Sequence, residues 1–185
     1  MAAISEFRKK KLLYVFHVFF DINQSGEIDR KDFELAINKI CNLRGWPAGH
    51  AKNKETHDAM FKIWDGLRTK ADEDNDGQVS VDEWCNMWEA YAKNPNAVLD
   101  WQVRYMNFMF DLEDASNDGT IDSEEFSSVY SSYGVDKQEC LEAFKKMSKG
   151  AGEVNRDQFA ILWREYFSSD EPSASGNFIF GKIAF

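Results

Sequence analysis

Asp72-Glu73-Asp74-Asn75-Asp76-Gly77-Gln78-Val79-Ser80-Val81-Asp82-Glu83 is the stretch on which the reading of this chain turns. Oxygen-bearing side chains stand at positions 1, 3 and 5 of the twelve, glycine at 6, a branched apolar residue at 8 and an acid at 12. A hard cation such as Ca²⁺ takes roughly six to eight oxygen ligands. A loop of this pattern supplies them from positions 1, 3 and 5, the carbonyl of 7, position 9, and both oxygens of the acid at 12. Glycine at 6 lets the backbone turn into a conformation that other residues resist.

The frame recurs three times. Residues 114–125 place Asp114, Ser116, Asp118, Gly119, Thr120, Ile121, Asp122 and Glu125 at positions 1, 3, 5, 6, 7, 8, 9 and 12; only Ser116 is a softer donor. Residues 21–32 place Asp21, Asn23, Ser25, Gly26, Glu27, Ile28, Asp29 and Asp32 there, departing at position 5 and, with a shorter acid, at position 12. Residues 147–158 keep Gly152 and Val154, so the turn and the strand position read as preserved. Met147, Lys149, Ala151 and Gln158 supply no set of oxygens for a cation. The four stretches resemble EF-hand loops. Positions 9 and 12 also read as a helix capping box in each: Asp29–Asp32, Ser80–Glu83, Asp122–Glu125 and Asn155–Gln158, with Asp32 short for the reciprocal contact. An aromatic follows every frame, at Phe33, Trp84, Phe126 and Phe159.

Apolar residues at i, i+3, i+4, i+7 mark helices on both sides of the loops: Phe33, Ala36, Ile37, Ile40; Met60, Ile63, Trp64, Leu67; Phe126, Val129, Tyr130, Tyr133; Phe159, Leu162, Trp163, Tyr166. Trp84, Trp88 and Tyr91 mark another. Segments from about Phe7 to Phe20 and Leu99 to Leu112 are apolar over a wider arc and predict helices with more than one neighbour. The expected fold is all-α: four EF-hand units in two packed pairs, with short β-links between paired loops. Residues 1–93 form the first pair and 94–168 the second, with 169–185 as a tail. Asn42–Glu55, with Gly45, Pro47 and Gly49, reads as a long connection inside the first pair. Lys93-Asn94-Pro95-Asn96 is too short a break for a dumbbell, so the lobes are expected to pack together.

The chain has 185 residues and a formal net charge of −10. Three divalent cations, six positive charges, would bring −10 to −4, so much of the acid reads as ligand. This balance excludes a nucleic-acid surface. Cys41, Cys85 and Cys140 have no metal-ligand spacing and read as buried thiols. No apolar run approaches the roughly 20 residues of a membrane helix. Met1–Lys11 shows no secretory pattern, and Ala2 no acylation site, so the chain reads as cytoplasmic and soluble. Lys9, Lys10 and Lys11 read as a solvated helix face.

The polar stretch 168–176 ends in Asn177-Phe178-Ile179-Phe180-Gly181-Lys182-Ile183-Ala184-Phe185, whose apolar side chains should not sit in water. The tail is expected to fold back into the groove of an EF-hand pair. With its rigid aromatics, short break and covered groove, the chain reads as a buffer rather than as a calcium sensor with a target-binding groove. No enzyme chemistry is legible. The whole layout resembles the sarcoplasmic calcium-binding proteins of invertebrate and protochordate muscle, which implies a sarcoplasmic Ca²⁺/Mg²⁺ buffer with no obligate protein partner, monomeric. Calcium-triggered photoproteins are similar in layout, but His17, His50 and His57 leave none in the last unit. The expected metal-binding residues are Asp21, Asn23, Ser25, Glu27 and Asp32; Asp72, Asp74, Asp76, Gln78 and Glu83; and Asp114, Ser116, Asp118, Thr120 and Glu125. About three Ca²⁺ ions are expected, with Mg²⁺ competing most at loop 21–32.

Overall fold

The computed structural model describes residues 4–94, 96 and 99–185; Ala2, and Pro95 at the predicted break, lie outside the described residues. The chain is all-α with short β-links. Its helices are α1 (Glu6–Val15), α2 (Arg30–Arg44), α3 (Ala51–Ala71), α4 (Val81–Lys93), α5 (Asp100–Glu113), α6 (Ser123–Ser132), α7 (Lys137–Met147) and α8 (Arg156–Ser168). Among the described residues, four short strands lie between them: β1 (Glu27–Ile28), β2 (Val79–Ser80), β3 (Thr120–Asp122) and β4 (Glu153–Asn155). β1 pairs antiparallel with β2, placing Ile28 opposite Val79, and β3 pairs with β4, placing Ile121 opposite Val154. All four of these side chains are buried.

Each link hands the chain to a helix through a capping box. Asp29, Ser80, Asp122 and Asn155 each accept from the backbone N–H three residues on, and the side chain at that residue accepts in return. One orphan donor of the helix end is thereby satisfied at each site. Asp32 corrects the expectation drawn from its length. Its Oδ2 accepts from Asp29 N–H at 2.9 Å, because the carboxylate lies fully buried and close to the loop backbone.

Three other sequence readings change. The long connection at Asn42–Glu55 shrinks to residues 45–50, because Gly45 at φ 69° ends α2 in a left-handed cap and α3 begins at Ala51. The helix read through Phe20 leaves α-geometry at Phe16 and finishes as a π-turn, Phe16–Phe20, in which Asp21 N–H donates to Phe16 O at 2.7 Å. The lysine run is not one solvated face. Lys9 and Lys10 are exposed, but Lys11 is fully buried.

The apolar stripes converge on one aromatic core. Trp88 stacks on Phe167 at 3.8 Å and 9°, and meets Trp101 edge-on at 5.7 Å. α3 approaches α5 closely where Gly66 faces Trp101; a Cβ there would come within 2.5 Å of Trp101 Cβ. Trp84, buried on α4, donates from Nε1 to Leu12 O at 3.0 Å and anchors α1. Large side chains of this kind each stabilise by about 1.5–3 kcal/mol when fully buried.

The tail lies across α1, α6, α7 and α8. A 3-10 turn, Ser175–Phe178, delivers Ile179 and Phe180 into the core, where both are buried. Phe180 packs on Phe19, Trp163 and Tyr166 at 5.2, 5.6 and 4.8 Å. Lys11 Nζ donates to Ser169 O and to Asn177 Oδ1, both at 2.8 Å, and lies against the Tyr166 ring. Burial drives its pKa down to about 8, assisted by the nearby Arg8 and opposed by Asp170 and Glu165.

Candidate metal centres

Loop 72–83 begins where α3 ends at Ala71. Asp72 points inward, its Oδ1 accepting from Asp76 N–H at 3.1 Å and its Oδ2 from Gly77 N–H at 3.0 Å. Asp74 Oδ1 accepts from the same Asp76 N–H. The carboxylates of Asp72, Asp74 and Asp76 consequently lie within 4.8 Å of one another. Gly77 takes φ 87°, the left-handed turn its missing Cβ permits. Glu83 closes the loop: Oε1 accepts from Glu73 N–H at 2.9 Å and Oε2 from Ser80 N–H at 2.8 Å. Burial works to raise the Glu83 pKa, but the Ser80, Glu73 and Asp74 donors outweigh it and hold the acid below its ordinary value. Four carboxylates in one small loop are a hard, oxygen-only donor set, which suits a Ca²⁺-like ion.

Loop 114–125 repeats this wiring. Asp114 accepts from Asp118 and Gly119 N–H at 3.1 and 3.0 Å, and Glu125 bridges Ser116 and Asp122 N–H at 2.9 and 3.1 Å. Thr120 donates from backbone and hydroxyl to Asp118 Oδ1, both at 2.9 Å, which lowers the Asp118 pKa.

Loop 21–32 keeps the first-position geometry, with Asp21 accepting from Ser25 and Gly26 N–H, both at 2.9 Å. The Ser25 hydroxyl donates to Glu27 O at 2.9 Å, so two candidate ligand oxygens converge. Asp32 spans the loop from Asn23 N–H at 3.1 Å to Asp29 N–H at 2.9 Å. Burial raises its pKa, partly offset by those two donors and reinforced by Asp29 and Asp21.

Loop 147–158 is built differently in its first half. In the other three loops the positive-φ pair falls at positions 4 and 6: Gln24 and Gly26, Asn75 and Gly77, Asn117 and Gly119. Here Lys149 and Gly150 take it, at φ 55° and 81°. Gly152, read from sequence as the preserved turn, is not among the positive-φ glycines. The reason is a helix cap. Lys149 N–H donates to Lys146 O and Gly150 N–H to Lys145 O, which terminates α7 in a Schellman motif and uses up the turn. Only the second half, from Val154 to the Asn155–Gln158 box, matches the other loops.

The sequence reading missed the role of position 4. The left-handed Asn75 and Asn117 were detectable, since asparagine tolerates that region best after glycine; Gln24 was not. It also missed His17, whose Nδ1 lies 3.8 Å from Asp21 Oδ2, four residues on.

An EF-hand family model matches residues 69–88 and 109–130. Calexcitin-1 of Caenorhabditis elegans is 34% identical over 192 aligned residues, covering 98% of this chain and 90% of that protein. The chain belongs to the EF-hand superfamily and is homologous to the sarcoplasmic calcium-binding proteins. Sarcoplasmic calcium-binding proteins I, III and IV of Branchiostoma lanceolatum are 27% identical to it, covering 97% of this chain and 98% of theirs. The family fold is equally plain: the structure of an amphioxus sarcoplasmic calcium-binding protein superposes with a TM-score of 0.81 over 97% of this chain and 99% of that one, at 23% identity.

Proposed function

We propose that this protein is a cytoplasmic calcium buffer, sarcoplasmic if expressed in muscle, with no catalytic activity. It is built as four EF-hand units in two packed pairs, residues 1–93 and 94–168. The observation that carries the reading is shared by three loops: the first acid has both oxygens held by N–H groups of positions 5 and 6, and the last acid bridges back across the loop. About three ions would be held. Their ligands would be Asp21, Asn23, Ser25, Glu27 and Asp32; Asp72, Asp74, Asp76, Gln78 and Glu83; and Asp114, Ser116, Asp118, Thr120 and Glu125, with the position 7 residue acting through its carbonyl. Loop 147–158 would hold none and serves to pair β4 with β3. Mg²⁺ would compete most at loop 21–32, whose short closing acid suits a contracted site.

A buffer offers no target groove, and the tail accounts for that. Phe180 fills the apolar space between α1 and α8, where a sensor would grip a helix, and Ile179 beside it is buried too. Among the described residues no helix is long and apolar enough to cross a membrane. The test is a calorimetric Ca²⁺ titration with and without millimolar Mg²⁺, beside binding of an apolar dye. Three tight sites, Mg²⁺ competition at one and little dye signal support a buffer. A strong calcium-specific dye signal would mean a sensor instead.

A further inference from the structure

The π-turn Phe16–Phe20 joins loop 21–32 to the seat of the tail. Its last residue precedes Asp21, the first residue of loop 21–32, and the closing bond of the turn is Asp21 N–H to Phe16 O. Its two final side chains go different ways. Phe20 enters the middle of the core against Trp84 and Tyr105, at 4.9 Å from each. Phe19 faces the tail side, 5.2 Å from Phe180, 4.8 Å from Tyr133 and 5.8 Å from Tyr130. One helical turn earlier Tyr14 holds the same tail residue, its hydroxyl donating to Phe180 O at 3.0 Å. The element that aims Asp21 is thus clamped on one side by residue 180.

We propose that the tail and loop 21–32 are reciprocally coupled: seating Phe180 stabilises the π-turn that aims Asp21, and an ion in this loop tightens the tail. The proposal rests on the reading of this loop as an ion site. The sign follows from coexistence, since the tail is seated while Asp21 already accepts from Ser25 and Gly26 N–H. Freed of Phe180, Phe19 loses an aromatic partner, and Asp21 must be ordered at the expense of ion binding. Linkage requires the reverse effect with the same factor. Loops 72–83 and 114–125 have no equivalent. Asp72 and Asp114 follow α3 and α5, whose ends bond in ordinary i→i−4 fashion, to Arg68 O and Phe110 O.

The chain carries its own reporter of tail seating. Cys140 is fully buried, and the tail covers it at Gly181, where a Cβ would come within 3.5 Å of Cys140 Sγ. Ile183 N–H donates to the neighbouring Glu139 at 3.2 Å. Cys140 therefore reacts with a thiol reagent when residues 181–183 lift.

The experiment follows modification of Cys140 by mass spectrometry in the full chain, with and without Ca²⁺. It compares the parent with Asp21→Asn and Asp72→Asn, each first titrated calorimetrically. We expect Ca²⁺ to slow labelling about five-fold or more in the parent and in Asp72→Asn, within the ordinary range of coupling factors. In Asp21→Asn that protection should be lost although the other sites still bind. Phe180→Ala should weaken one calorimetric site by a similar factor and leave the rest. Protection that persists in Asp21→Asn would overturn the coupling, because general stabilisation by ions elsewhere would explain it. So would equal labelling with and without Ca²⁺ in a parent whose loop 21–32 binds. If Asp21→Asn removes no calorimetric site, the ion-site reading itself fails and the coupling falls with it.

Discussion

Replacing Lys11 with methionine removes a charge from the interior while keeping an unbranched chain of similar length. Lys11 has no measurable exposure, and its pKa falls from 10.5 to about 8. The depressed value is a statement about stability. Between those two pH values the unfolded chain still holds a proton that the folded chain has released. Stability through this group therefore rises with pH across the window and is flat below pH 8, where both states are charged. The limiting slope is about 1.4 kcal/mol per pH unit. From pH 8 to 9.5 the native state gains at most about 2 kcal/mol, less whatever solvent screening removes. At pH 7 the variant regains the burial cost but leaves Ser169 O and Asn177 Oδ1 without a donor, at about 1–3 kcal/mol each, so the two changes roughly offset. The measurement is urea unfolding of both proteins at half-unit steps from pH 7 to 9.5. Buried tyrosines and cysteines also titrate in the unfolded chain, but they are common to both and cancel in the difference. Parent minus variant should rise by about 1–2 kcal/mol. Parallel curves would refute the claim that Lys11 is held charged against its burial.

Gly176→Ala should destabilise by about 1–3 kcal/mol and lower the melting temperature by several degrees. The new Cβ would stand 2.4 Å from Leu162 O and 2.9 Å from Tyr166 N, backbone atoms of α8 that have no room to move. Glu83→Gln should leave the metal-free fold within about 1 kcal/mol, because Gln158 already makes the same cap to Asn155 N–H at 2.9 Å; calorimetry should lose one ion. Installing acids in the fourth loop, as M147D, K149D, A151D and Q158E together, should add no tight site. The left-handed pair at Lys149 and Gly150 is shifted relative to the other loops, and one extra tight calorimetric event would contradict that account.

Much of the fold was legible because its signals are local. Capping boxes depend on residues three apart, and all four read from sequence are present. The apolar stripes needed only helical periodicity, and Val154 opposite Ile121 needed only equivalent loop positions. What was misread depended on competition between local options. Gly152 occupies the right position by count, yet Gly150 ends α7 first. Asp32 is short by one methylene, yet burial brings its carboxylate to the backbone. The π-turn left no pattern at all, since Phe16, Phe19 and Phe20 suit an α-helix equally well.

The sequence by itself determined the loops, their graded donor sets and the helices that flank them, because oxygen count, glycine placement and 3.6-residue periodicity are written in neighbouring residues. Only the tertiary structure decided where the tail goes and why Lys11 is buried. Those outcomes depend on contacts between residues more than 150 positions apart, such as Lys11 with Asn177 and Tyr14 with Phe180. The tail meets the first helix because its apolar side chains find cover only where α1, α6, α7 and α8 have already come together, and no local pattern records that encounter.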